Sequence, residues 1–322
     1  MLTHDQYDAY DDFDDEPRPA RARRKHRFDD EKQPERSGRL TEHARELLAK
    51  AREDALTRDI ELPPWADRWT TWGDGEHGPH PRPDWLITEL SAVDTELGVL
   101  KTGKEADVHL VERSIPDTDR SCLLAAKRYR SNEHRLFHRD AGYLEGRRVR
   151  KSREMRAMTN RTAFGRNLLA EQWSVAEFAA LSRLWSIGAP VPYPAQRNGT
   201  ELLLEFLDDG EGGAAPRLAQ LRPDPEALAD LWEQLVAALE LMAAEGLTHG
   251  DLSAFNLLVQ DGHLMLIDLP QVVDVVANPQ GREFLARDVA NIAGWFSARG
   301  LPDAVTDPLA LTERLLDAAG LG

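Results

Sequence analysis

The sequence predicts an α+β chain of two lobes, a small β-rich lobe followed by a trimmed helical one. Three observations lead there. Short strand-like runs cluster at residues 96–101, 107–112 and 122–129, separated by turn-forming stretches. A long apolar helix is bracketed by Asp224 as N-cap, Pro225 at its first position and Gly246 past its end. A small hairpin joined by Asp261-Gly262 then sits among helices, so strands come first and helices later, with no internal repeat.

Taken in order, the first sixteen residues carry seven acids and residues 17–28 carry six bases. Such blocks bury too little apolar surface to offset chain entropy, so 1–38 is expected to be disordered. The segment 39–92 is expected to be a helix plus a connector. Leu47, Leu48, Ala51 and Ala55 recur at helical spacing after Thr41, and the Pro- and Trp-rich stretch that follows is too full of breakers for regular structure. His77 and His80 in that connector have no third ligand nearby and read as ordinary loop residues. The strand-rich lobe is placed at 93–207. It contains a basic stretch at about 130–168 and a helix at 173–187 that stops at Gly188. A segment held extended by Pro190, Pro192 and Pro194 and an apolar strand at 201–207 complete it. The helical lobe is placed at 208–322, with helices at 283–299 and 309–319 closing it.

Composition excludes several classes of function. The 322 residues carry 40 bases and 56 acids, a net charge of −16, which rules out a wholly basic nucleic-acid binder and predicts no DNA partner. No run of 18 apolar residues occurs and the first thirty residues carry no secretion signal, so a soluble cytoplasmic chain with no membrane partner is expected. A single cysteine, Cys122, excludes an internal disulfide framework and any cysteine-rich metal site.

The residues that carry chemistry are concentrated in two places. His249-Gly250-Asp251-Leu252-Ser253-Ala254-Phe255-Asn256 is followed, across the hairpin, by Ile267-Asp268. Phosphoryl transfer needs one carboxylate to orient the attacking oxygen and separate oxygen ligands for a divalent cation against the phosphates. Asp251 fits the first need, Asn256 and Asp268 the second. Upstream, Thr102-Gly103-Lys104-Glu105-Ala106-Asp107-Val108 places a glycine turn between two strands, where backbone N–H groups can approach phosphate oxygens. Lys127 lies in the third strand and Glu177 on the following helix, a lysine and its natural partner. The order of these features is that of the protein-kinase fold.

Within that fold the chain resembles the RIO family of atypical serine/threonine protein kinases over about residues 93–300. The resemblance rests on Lys101-Thr102-Gly103-Lys104-Glu105-Ala106, Gly188-Ala189-Pro190-Val191-Pro192, His249-Gly250-Asp251-Leu252-Ser253, Ile267-Asp268-Leu269-Pro270-Gln271 and Phe284-Leu285-Ala286-Arg287-Asp288-Val289. It implies a RIO-type kinase or ATPase using ATP and Mg²⁺. Asp251, Lys127 and Glu177 would be catalytic, with Asn256 and Asp268 holding the metal. Gly103, Lys104, Glu105, Ala106, Val108 and Lys127 would bind ATP, and the backbone of Glu205, Phe206 and Leu207 would meet adenine. The absence of a winged-helix pattern before residue 90 points to the branch without that domain, and the Arg-rich composition to a bacterial member.

Two features depart from ordinary protein kinases: the phosphate loop has a single glycine, and no Ala-Pro-Glu motif follows Asp268. His138-Arg139-Asp140 spells a kinase catalytic triplet, but Glu145 stands where Asn would be needed. Residues 127–166 carry 13 bases against four acids, a local +9 that suits either a solvated loop or a docking surface for a protein or ribonucleoprotein partner. A small-molecule phosphotransferase of the aminoglycoside or choline-kinase type would share His249, Asp251, Asn256 and Asp268. An ATP-gated scaffold on a ribonucleoprotein particle is the other alternative.

Overall fold

The computed structural model describes residues 61–130 and 163–322. The tail at 1–38, the helix expected at 41–58, the His138-Arg139-Asp140 triplet and most of the basic stretch lie outside the described residues. The chain divides into units 1–60 and 61–322, and the description concerns the second.

Three long strands form the expected meander: β3 (Val93–Thr102), β4 (Ala106–Ser114) and β5 (Ser121–Tyr129). β5 pairs with β7 (Glu201–Glu205), and β7 forms a hairpin with β6 (Pro194–Asn198). The connector departs from expectation. It supplies β1 (Arg68–Trp69), paired with β3, and β2 (Glu76–His77), paired with β6, so that the sheet runs β1-β3-β4-β5-β7-β6-β2. Breakers confine each piece to two residues, but backbone pairing at a sheet edge needs no longer run. Only residues 70–75 join the two edges. Seven residue steps reach about 24 Å at most, whereas the edges of a flat seven-stranded sheet would lie about 29 Å apart, so the sheet must curl.

The interior of the curl is filled by Trp72, Ile87, Val111, Leu124, Tyr193 and Leu203 and their neighbours. It also encloses Arg113, whose side chain is fully buried. Its guanidinium donates to both Asp94 carboxylate oxygens at 2.7 and 3.1 Å and reaches Gln196 Oε1 at 3.4 Å. Gln196 in turn donates to the Thr71 carbonyl at 2.7 Å, so the knot ties β3, β4, β6 and the connector together. His77, expected as a loop residue, lies instead in β2, where pairing with β6 holds it, and its ring stacks on Trp72 with centroids 4.0 Å apart.

Helix α1 (Ala163–Ser186) begins earlier than the apolar spacing suggests and ends before Gly188, whose φ is +79°. Helix α2 (Pro225–Ala244) starts as expected, with the Asp224 side chain accepting from the Ala227 amide at 2.9 Å. Its apolar face meets helices α3 (Gly281–Ser297) and α4 (Pro308–Ala318) in a core that includes Leu235, Met242, Ile292, Phe296 and Leu315. Between α2 and α3 lie β9 (Leu257–Gln260) and β10 (His263–Leu266), turned through Asp261 and Gly262 at φ +49° and +80°. The sequence gives no sign of the short ladder between β8 (Leu247–Thr248) and β11 (Val273–Asp274). It brings the segment after Asp268 back beside the loop that follows β8.

Candidate active site

A cleft of about 760 Å³ opens beside the β3–β4 turn. All nine residues expected to contact nucleotide line it: Gly103, Lys104, Glu105, Ala106, Val108, Lys127, Glu205, Phe206 and Leu207. Gly103 is required by close approach, since a Cβ there would lie 2.8 Å from the Ala106 carbonyl oxygen. The turn is braced by Arg130, whose guanidinium donates to both Asp107 carboxylate oxygens and whose amide donates to the Glu105 carbonyl. At the opposite wall the Glu205 amide donates to Tyr193 and the Leu207 carbonyl accepts from Ala215, which fixes the backbone there.

At the floor, Lys127 Nζ lies 2.7 Å from Glu177 Oε1 and 2.6 Å from Asp268 Oδ1. Strand β5 supplies the lysine, α1 the glutamate, and the segment after β10 the aspartate. Burial by itself would lower the Lys127 pKa, but the Asp268 and Glu177 carboxylates outweigh it and hold the ammonium charged. The Lys127 charge, working against desolvation, pulls the Asp268 carboxyl down to about 2. Asp268 also adopts φ +66°, a left-handed conformation that an aspartate tolerates better than most residues but that still costs energy.

Glu177 is almost fully buried and engaged from three sides: Lys127, the Tyr129 hydroxyl and the Leu269 amide at 3.2 Å. Tyr129 escaped the sequence reading, although alternation along β5 places residues 127 and 129 on one face.

The loop after β8 is held from within. Asp288 of α3, with no exposed surface, accepts from Thr248 Oγ1 at 2.9 Å, the Gly250 amide at 2.6 Å and the Leu252 amide at 3.1 Å. Arg287 donates to the Gly250 carbonyl. Gly250 sits at φ +81°, and a Cβ there would lie 2.1 Å from the Gln271 carbonyl, so glycine is required. His249 is buried with Nε2 3.0 Å from the Ile267 carbonyl, which makes Nε2 the protonated nitrogen. Asn256 donates from Nδ2 to the Asp251 carbonyl at 2.9 Å, which leaves its Oδ1 as an oxygen donor near Asp268 in sequence and topology. Asp251 and Gly250 face a second cleft, bounded by α1, α3 and residues 269–274.

Among the described residues no group of three His, Cys, Asp or Glu side chains could hold a metal. The oxygen pair of Asn256 and Asp268 suits a hard cation that keeps waters and takes further ligands from phosphate, as Mg²⁺ does. No helix among the described residues is long and apolar enough to cross a membrane. Lys101, Pro216, Arg217 and Gln220 also line the first cleft and were not anticipated as site residues.

Comparison with known proteins points to one family. A family model described as RIO domain matches residues 123–308. The RIO-type serine/threonine-protein kinase Rio1 of Haloferax volcanii is 33% identical over 67% of this chain and 68% of its own length. The serine/threonine-protein kinases RIO1 of Caenorhabditis elegans and Saccharomyces cerevisiae are 30% and 26% identical over 66% and 68% of this chain. The matched region spans 40% and 48% of those two eukaryotic proteins.

Proposed function

The chain belongs to the RIO family of atypical serine/threonine kinases, and from that premise we propose that it binds ATP with Mg²⁺ in the cleft beside the β3–β4 turn and moves the γ-phosphoryl group to a hydroxyl or to water. The observation that carries this reading is the placement of Lys127 between Glu177 and Asp268 at the floor of a cleft lined by every expected nucleotide-binding residue.

In this reading Lys127, oriented by Glu177, reaches the α- and β-phosphates. The Gly103 turn covers them, and the backbone at Glu205, Phe206 and Leu207 meets adenine. Asn256 and Asp268 would hold Mg²⁺, which when bound neutralises charge on the phosphates. Asp251 orients the acceptor oxygen and takes its proton. The bond from the γ-phosphorus to the β–γ bridging oxygen breaks as the bond to the acceptor oxygen forms, and ADP leaves. The division into a nucleotide-clamping lobe at 93–207 and a lobe at 208–322 is part of this proposal, as is a cytoplasmic location.

The acceptor is not an extended peptide held in a groove. Ordinary protein kinases use a long activation segment and a large helical subdomain for that purpose. Here the chain between Asp268 and α3 is short and is pinned by the β8–β11 ladder, which leaves no long activation segment. Slow ATP hydrolysis or autophosphorylation follows, with little sequence preference on free peptides. Docking of a protein or ribonucleoprotein through the basic stretch at about 130–168 rests on its charge alone.

Incubation with γ-labelled ATP and Mg²⁺ tests the reading. Label should appear on the protein or as free phosphate, and Asp251→Ala should lower the rate at least about 100-fold with ATP still bound. Unchanged turnover in that variant would remove Asp251 from the reaction.

A further inference from the structure

Phosphoryl transfer spreads negative charge over the terminal phosphate, and sites that accelerate it place cations there. The loop from Asp251 to Asn256 contains no lysine or arginine. Lys127 is already shared between Glu177 and Asp268. Two further cations line the same cleft from different walls. Lys101 lies near the end of β3, and Arg217 lies in the segment that leads from β7 toward α2.

Neither makes an ion pair with a carboxylate among the described residues. Arg217 is aimed by its own hydrogen bond: Nη1 donates to the carbonyl of Phe255, the residue before Asn256. That bond uses one of five guanidinium N–H groups and leaves four for a ligand. Lys101, Arg217 and Asp268 line one cleft, and Arg217 is held at the residue before Asn256, so the Arg217 cation sits beside the loop that carries the expected metal ligand. The two cations also act on each other. Partial desolvation and then the Arg217 charge lower the Lys101 pKa, and desolvation lowers that of Arg217. Two like charges in one partly desolvated cleft, beside the Glu105 and Asp268 carboxylates, favour an anionic ligand as a further counter-charge.

We propose that Arg217, with Lys101 facing it, clamps the terminal phosphate of the bound nucleotide and so supplies the cation that the loop from Asp251 to Asn256 lacks. The proposal rests on the ATP reading above and adds to it the group that distinguishes a triphosphate from a diphosphate. A guanidinium suits this task because its planar fork meets two phosphate oxygens at once.

The test is titration calorimetry of ATP, ADP and adenosine with Mg²⁺ on the full chain, for wild type, Arg217→Gln, Arg217→Lys and Lys101→Gln, with thermal melting of each. Arg217→Gln should weaken ATP about tenfold or more, ADP by less than about threefold, and adenosine not at all. Arg217→Lys should recover part of the loss, and Lys101→Gln should show a smaller loss of the same pattern. If Arg217→Gln melts early through loss of the Phe255 bond, the Arg217→Lys and Lys101→Gln pair carries the test. Equal weakening of ATP and ADP, or no change in either, overturns the clamp while leaving the ATP reading intact. A wild-type protein that binds none of the three overturns the ATP reading itself.

Discussion

Two buried ion pairs, one inside the curled sheet and one at the floor of the cleft, use similar groups for different ends. Arg113 and Asp94 have side chains 0% and 2% exposed, and their polar atoms are turned toward one another, Gln196 and Arg68. That knot is closed. Lys127 is nearly as buried, but it divides its charge between a partner sealed in the fold, Glu177 at 1% exposure, and one open to the cleft, Asp268 at 39%. A buried pair that answers only to itself fixes geometry, whereas a pair with one exchangeable partner can hand its cation to a ligand. The difference lies in what surrounds the charges: sheet interior on one side, a cleft on the other.

Breaking each pair separately should separate these roles. The largest effect is expected for Lys127→Met, with turnover lowered at least about 100-fold and a smaller loss of stability, because Glu177 keeps the Tyr129 hydroxyl and the Leu269 amide. Arg113→Met should do the reverse. Removing one partner of a buried pair strands the other, so chemical denaturation should show a loss of about 3–5 kcal/mol, with turnover per folded molecule unchanged.

Asp288→Asn probes the link between core and site. It replaces a carboxylate that accepts three hydrogen bonds with an amide that cannot accept on both sides, and should cost about 1–3 kcal/mol while slowing turnover.

Titration sharpens the comparison further. The Asp268 carboxyl is depressed from 3.8 to about 2 by Lys127, so its contribution to stability is complete above pH 4 and is lost as pH falls through 2. The stability gap between wild type and Asp268→Asn should therefore narrow between about pH 4 and pH 2. Because the side chain is more than one-third exposed, solvent screening keeps that gap small. The smallest effect is expected for Gly262→Ala. Its φ of +80° costs a β-carbon about 1 kcal/mol, and the hairpin turn lies away from the nucleotide cleft, so ATP affinity should not change.

Much of this architecture is legible in the residues because local chemistry decides it. Asp224 and Pro225 specify where α2 begins, and Asp261-Gly262 specifies a two-residue turn. The glycine turn, Lys127, Glu177 and the Asp251-to-Asp268 series are likewise readable, since phosphate and metal chemistry demands those residue types in that order. What escaped is set by contacts between distant segments. The two-residue strands β1 and β2 exist through pairing with β3 and β6, and the connector's own composition argues against them. Arg217 meets Phe255 across 38 positions with no local pattern to announce it. The β6–β7 hairpin is an intermediate case: its two-residue loop, Gly199-Thr200, carries the glycine that such a turn favours, but the strand before it is too polar and too close to the three prolines to read as one. Asp288 stands in a motif that the sequence singles out, but its contacts with the Thr248 hydroxyl and the Gly250 and Leu252 amides span 36 to 40 positions and leave no local signal.

The most direct measurement is ATP affinity with and without Mg²⁺ for wild type and Asp268→Asn. If Asp268 is the exchangeable partner that releases Lys127 and takes up the metal, wild-type affinity should rise with Mg²⁺ and the variant's should be nearly indifferent to it. An Asp268→Asn protein whose ATP affinity responds to Mg²⁺ as the wild type does would contradict the account.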